Sequence, residues 1–250
     1  MYSDSHSHLD EHPEGQLASI LEQAAAKAVE LVVGVATTLE AAETTIDLSR
    51  RFPSIVPTVG IHPWTAIPLD VETSSKLRKL AGTKGVAAIG EVGIDLERQP
   101  TTGELQWEVL RAQVNLAREL GLPLILHCRG ARDEMLDLLR GQTPVKGVLH
   151  GFTGGPEEAR AWMDLGLHIG IGLRAFTRNP SPHLEQTVRA IPLDRMLLET
   201  DSSSRSYASE ENLHPGRVVD VAERVARIKG TPPEEVGRRT TANLRAMLGI

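Results

Sequence analysis

The chain has 250 residues, 40% of them hydrophobic and 24% charged, with a formal charge of −6 at pH 7. That length suffices for one large domain, spanning 1–250, with a fully buried core, and no run nears the roughly 18 unbroken apolar residues of a membrane helix. The negative charge argues against a protein that coats nucleic acid with a broad basic surface, where affinity comes from many neutralised phosphates; bound cations could still supply charge locally in a phosphate-handling site.

In chain order, no basic segment followed by an apolar run opens the sequence, so the cytoplasm is the expected compartment. "YSDSHSHL" (2–9) reads as a first strand. On a strand, residues i and i+2 share a face roughly 6.5 Å apart. His6 and His8 can therefore point at a common centre, which is metal-ligand geometry. An amphipathic helical pattern follows at 14–28, then "ELVVGVA" (30–36) and "SIVPTVGIH" (54–62), the latter ending on His62. "GVAAIGEVG" (85–93) carries Glu91 near its end, with Ile89 expected on the same face. The stretch 101–121 reads as a helix opened by Thr101 and Glu104 at capping-box spacing and closed by Gly121 ahead of Pro123. "LPLILHC" (122–128) and "KGVLHGF" (146–152) place His127 and His150 on the same faces as Ile125 and Val148. "LHIGIG" (167–172) and "RMLLETD" (195–201) complete the set, with Glu199 and Asp201 sharing a face. The lone cysteine, Cys128, has the opposite parity to His127 and should pack outward as a structural thiol; having no intrachain disulfide partner, it agrees with a reducing compartment.

Strands alternating with helices make a parallel sheet, and eight such units close naturally into a (β/α)8 TIM barrel; a doubly wound open sheet is the alternative. In a barrel, functional groups gather at the C-terminal strand ends. His6, His8, His62, Glu91, His127, His150 and Asp201 all fall there. Histidine and carboxylate without thiolate suit Zn²⁺, Mn²⁺, Fe²⁺, Ni²⁺ or Mg²⁺. Four imidazoles and two carboxylates exceed what one catalytic ion takes, so two divalent ions are expected, with Glu91 as the candidate bridge. The chemistry that follows is metal-assisted hydrolysis, in which an activated water attacks phosphorus or a carbonyl and a nearby carboxylate, Asp201, manages the proton.

The segments "DSHSHLD", "VGIHPW", "IGEVGIDL", "LPLILHCR", "GVLHGFTG" and "LLETD", followed by "TTANLRAML", resemble the successive motifs of the TatD-like deoxyribonuclease family within the metal-dependent amidohydrolase superfamily. The likeness covers nearly the whole chain. It implies a TIM-barrel hydrolase with a dinuclear site that removes nucleotides from DNA 3′ ends. By this resemblance His6, His8 and Asp201 hold one ion, His127 and His150 the other, and Glu91 bridges them. His62 would lie near the substrate phosphate, and Arg129 would add a charge-assisted contact, its alternative being a pair with Asp133. The family's loop after "ETD", which grips the substrate, commonly carries an Arg-Gly-Lys segment and an Asn-Glu-Pro turn, and by this resemblance Arg205 would contact the substrate. Here it reads "ETDSSSRSYASEENLHPGRVV", leaving Arg205 and "NLHP" of that pattern. Aromatic residues make up 3% of the chain, which leaves few platforms for stacking bases.

The leading expectation is a phosphodiesterase acting on DNA ends, without membrane or obligate protein partner. A hydrolase of a small-molecule ester, lactone or cyclic amide would use the same metals, and a non-catalytic barrel scaffold would need none. His12, His168, His183 and His214 fall off the ligand pattern and are expected to be ordinary surface or core histidines.

Overall fold

In the computed structural model, which describes residues 1–98, 100–177, 182–207 and 212–250, every apolar run read as a strand is one. They are β1 Tyr2–Ser7, β2 Val29–Gly34, β3 Ile55–Val59, β4 Ala88–Asp95, β5 Leu124–Arg129, β6 Gly147–Leu149, β7 His168–Gly172 and β8 Met196–Glu199. They form one sheet in the order β1 to β8, and each neighbouring pair is parallel. Helices between the strands return the chain to the same end each time, and the open-sheet alternative is excluded by the seam that joins β8 to β1. There Ser7 bridges Ser202 in parallel. Asp201 N–H donates to His6 O at 2.9 Å and His8 N–H to Ser202 O at 2.8 Å. Asp4 reinforces the seam by accepting Thr200 N–H (2.9 Å) and Thr200 Oγ1–H (2.5 Å). Closure thus places the first strand's histidines beside the last strand's carboxylate.

The core has two parts. One lies between strands and helices and holds Ile89, Val92, Ile94, Leu124 and Leu126. The other fills the lumen with Leu31, Val33, Val35, Val56, Ala88, Ile125, Val148 and Leu197. Ile125 and Val148 lie in the lumen as their parity requires, whereas Ile89 does not. A register irregularity between Ile89 and Val92 shifts the alternation, so Ala88 faces the lumen while Ile89 packs outward. The expected pairing of Ile89 with Glu91 on one face is therefore wrong, although Glu91 itself reaches the barrel mouth. Beyond the irregularity β4 runs hard against β5: a β-carbon at Gly93 would sit 1.8 Å from His127 O, so only glycine permits this approach.

The terminal helix Pro233–Leu248 seals the N-terminal end of the barrel by adding Leu244, Met247 and Leu248 to the lumen cluster. Thr241 bonds to Ser3 at 3.1 Å, and Asn243 donates to Leu193 O and Met196 O at the start of β8. Leu244 is fully buried. Leu244→Ala should therefore lower unfolding free energy by about 2–5 kcal/mol, as core truncations do, with the metal content of the folded protein unchanged. Chemical denaturation alongside elemental analysis checks both outcomes.

The helix Gly103–Leu120 is capped by Thr102, whose side chain accepts Leu105 N–H, and ends on Gly121 in the left-handed region. The cap is one residue later than the Thr101 of the sequence reading, because Thr101 Oγ1–H is engaged with Pro63 O at 2.7 Å. Two buried glutamines on this helix hold the site's loops. Gln113 brackets the backbone N–H and carbonyl of Ile61, and Gln106 does the same for Asp95. The residue preceding His62 and the end of β4 are thereby fixed to one rigid element. No helix among the described residues is long and apolar enough to cross a membrane.

Candidate metal centre

Glu91 is the point of convergence. It is buried at the mouth, and its two carboxylate oxygens face different groups. Oε2 lies 3.2 Å from His6 Nε2 and 3.7 Å from His8 Nε2. Oε1 lies 2.9 Å from His127 Nδ1, 3.1 Å from His150 Nε2 and 3.4 Å from His62 Nε2. Asp201 completes the first side, with Oδ1 3.4 Å from His8 Nε2. Burial alone would favour the neutral acid, but the imidazoles of His62, His150 and His6 and the hydrogen bond with His127 hold Glu91 well below the usual carboxylate range. Burial opposes charge on Asp201 too, and the His8 hydrogen bond together with the nearby imidazoles overrides it. On the other side of these pairs, His150 is raised well above its ordinary value, burial notwithstanding, by Glu91 and Glu199.

The outward ring nitrogens identify the tautomers. His8 Nδ1–H donates to Val35 O at 3.1 Å, His127 Nε2–H to Asp95 Oδ2 at 3.0 Å and His150 Nδ1–H to Glu199 Oε1 at 3.3 Å. With its proton placed on the outward nitrogen, each of these imidazoles in its neutral form has the inward nitrogen free for a cation. His6 is fully buried, and neither of its ring nitrogens has a hydrogen-bond partner among the described residues. Lone pairs crowded about a carboxylate repel unless a cation lies among them, so the donor set fits bound metal ions. Groups whose ligand atoms lie within 4.8 Å of one another include His6, His8 and Asp201, then His62, Glu91 and His127, and finally His6, His150 and Glu199. His62 differs from the others: its Nδ1 accepts Trp64 N–H at 3.1 Å, so Nε2 carries the proton and is a donor rather than a ligand.

All the residues read as ligands come together here, and His62 joins them from the turn after β3, where it caps Pro63–Thr65. The two arginines of the sequence reading do not. Arg129 donates to Cys128 O and Gly151 O, tying β5 to the turn after His150, while Asp133 pairs with Arg132 instead. Arg205 is exposed on Ser204–Tyr207 and has no ion pair with these groups among the described residues. Residues 208–211 of the same loop lie outside the described residues. The guanidinium that does reach the site is that of Arg174, two residues past β7, with Nη1 2.6 Å from Asp201 Oδ2. Asp95 and Glu199, which orient His127 and His150, were also missed as partners. Strand parity carried the signal for Asp95, two alternations beyond Glu91, whereas Arg174, two residues past β7, belongs to no motif. Cys128 packs partly buried against the outer core, and burial pushes its thiol up to about 11, the state of an inert structural cysteine. His12 and His214 are buried away from these groups, the His214 ring beside Gly216; His168 begins β7 and His183 precedes Leu184–Ala190.

A closed parallel barrel whose mouth gathers imidazoles and carboxylates is the frame of a metal-dependent hydrolase. The chain matches the family described as TatD related DNase over residues 3–249, and it belongs to that family. It is 38% identical over 257 aligned residues to YcfH, an uncharacterized metal-dependent hydrolase of Escherichia coli (strain K12), covering 99% of this chain and 95% of that protein. It is 34% identical to the 3′-5′ ssDNA/RNA exonuclease TatD of Erwinia billingiae, covering 88% of this chain and 87% of that one. Among solved structures, the TatD homologue YjjV of Escherichia coli superposes with a TM-score of 0.90 at 25% identity, covering 100% of this chain and 98% of that one.

Proposed function

We propose that this chain, acting as one catalytic unit over residues 1–250 in the cytoplasm, is a nuclease that removes nucleotides from the 3′ ends of DNA with two divalent ions, Zn²⁺, Mn²⁺, Mg²⁺ or Ni²⁺. The observation that carries this reading is the division of Glu91, one oxygen toward His6 and His8 and the other toward His127 and His150. Such a carboxylate suits a bridge between ions. His6, His8 and Asp201 would hold one, and His127 and His150 the other. Ions so held would supply Lewis-acid charge and lower the pKa of a bound water.

The remaining steps fall to this chain's own side chains. Asp201, kept ionised by His8, takes the proton of the attacking water. His62 donates its Nε2–H to a nonbridging phosphate oxygen, since Trp64 N–H fixes the opposite nitrogen as an acceptor. Asp95 and Glu199 keep His127 and His150 in the tautomers that face inward. Arg174 brings positive charge to the rim beside Asp201, where a diester's phosphate enters.

Purified protein supplied with each metal and end-labelled single-stranded DNA should release mononucleotides from the 3′ end, and Glu91→Gln protein prepared in parallel should not. No release, with turnover of a lactone or cyclic amide instead, overturns the nuclease reading while leaving the hydrolase intact. Arg174→Ala should raise KM for a DNA substrate roughly 10- to 100-fold, the loss typical of a hydrogen bond to a charged group, with Arg174→Lys intermediate. Steady-state kinetics checks this, and an unchanged KM would remove Arg174 from substrate binding.

A further inference from the structure

We infer that Trp64 is a stacking platform for the base of the terminal nucleotide, so that the site selects base-bearing ends; this deepens the nuclease reading and rests on it. The chain has only three tryptophans. Trp162 is fully buried, yet Trp64 is 38% exposed at the mouth. An indole left in water loses the hydrophobic gain of burial, so its position calls for a partner that covers it. Its orientation is fixed by the site itself: Nε1–H donates to Asp95 Oδ2 at 2.8 Å, the same oxygen that accepts from His127. The ring centroid lies 4.9 Å from that of His62, edge to face, and 6.2 Å from that of His127. A base stacked on Trp64 would therefore stand next to the phosphate that His62 contacts. The Arg98 guanidinium lies over the ring, 5.4 Å from its centre, so it covers one face and the base takes the other. Because the indole is already held by Asp95, stacking on it requires little new ordering of the protein. Every base has a π-face, so such a platform favours nucleotides as a class without reading their sequence.

The test compares removal of the 3′-terminal unit from two oligonucleotides that differ only there, one ending in deoxyadenosine and one in an abasic tetrahydrofuran. The wild type should prefer the base-bearing end by on the order of 10-fold in kcat/KM. Trp64→Phe should keep most of that preference, and Trp64→Ala should bring the ratio close to one. If Phe and Ala variants lose both substrates alike, Trp64 acts only through Asp95 and the platform is overturned. A preference intact in Trp64→Ala overturns it as well. Tryptophan fluorescence gives a readout independent of turnover. Deoxyadenosine 5′-monophosphate should quench wild-type emission and bind on the order of 10-fold more tightly than deoxyribose 5-phosphate, with Trp64→Phe binding but losing the quench. Equal affinity for the two overturns the platform. Base-dependent binding without hydrolysis of either oligonucleotide counts against the nuclease reading alone.

Discussion

Glu91→Gln lowers kcat/KM on the order of 10³-fold, a barrier increase of about 4 kcal/mol at 1.36 kcal/mol per decade. The amide is nearly isosteric with the carboxylate, so the packing of β4 against β5 is kept and the protein stays folded. What changes is charge. The imidazoles of His6, His8, His127 and His150 converge on Glu91 within 3.7 Å, and only an anion with two acceptor oxygens can serve both sides at once. An amide presents one acceptor and one donor, so one side of the site meets an N–H where it needs a lone pair. Metal content measured after supplementation should fall with activity, and circular dichroism should match the wild type. An active, fully loaded Glu91→Gln protein would show that the carboxylate is a bystander.

Asp201→Asn lowers kcat roughly 10²- to 10⁴-fold, the range of a lost general base. Asp201 sits just past β8 with a positive φ of 52°, a backbone conformation that non-glycine residues adopt sparingly and that asparagine tolerates well. The seam bond from its N–H to His6 O is a backbone bond and survives the substitution. The amide can still offer an oxygen to an ion but cannot accept a proton from water. The loss should therefore exceed the fall in metal content, whereas in Glu91→Gln the two fall together. Steady-state kinetics with elemental analysis of both variants separates the cases. A parallel loss of metal and rate in Asp201→Asn would make Asp201 a ligand without a role in proton transfer.

The barrel was legible because its signal is periodic: every strand after β1 is an apolar run bounded by turn residues, β1 shows itself by its alternating histidines, and all eight appear in the structure. The convergence of the candidate ligands was legible because chemistry in a parallel barrel gathers at strand ends, and histidines at strand ends are few enough to stand out. What escaped the sequence depends on side-chain direction across strands. Alternation failed at Ile89 because β4 slips in register just before Glu91, which no residue pattern announces. Arg129 reads as a substrate contact from its place beyond β5, yet backbone carbonyls of Cys128 and Gly151 lie within its reach and take its donors. Arg174 carries no motif of its own and becomes visible only when β7 and β8 lie side by side, bringing it to Asp201. Trp64 was counted among a scarce set of aromatics, and only the turn after β3 shows that one of them stands at the mouth.

The most direct test is a crystal structure of the metal-supplemented protein with anomalous-scattering maps recorded at the edges of the candidate metals. The account expects two peaks, one on each side of the Glu91 carboxylate and within about 4 Å of each other, the first beside His6, His8 and Asp201 and the second beside His127 and His150. A single peak, or peaks that leave Glu91 or the pair His127 and His150 without an ion, would contradict it.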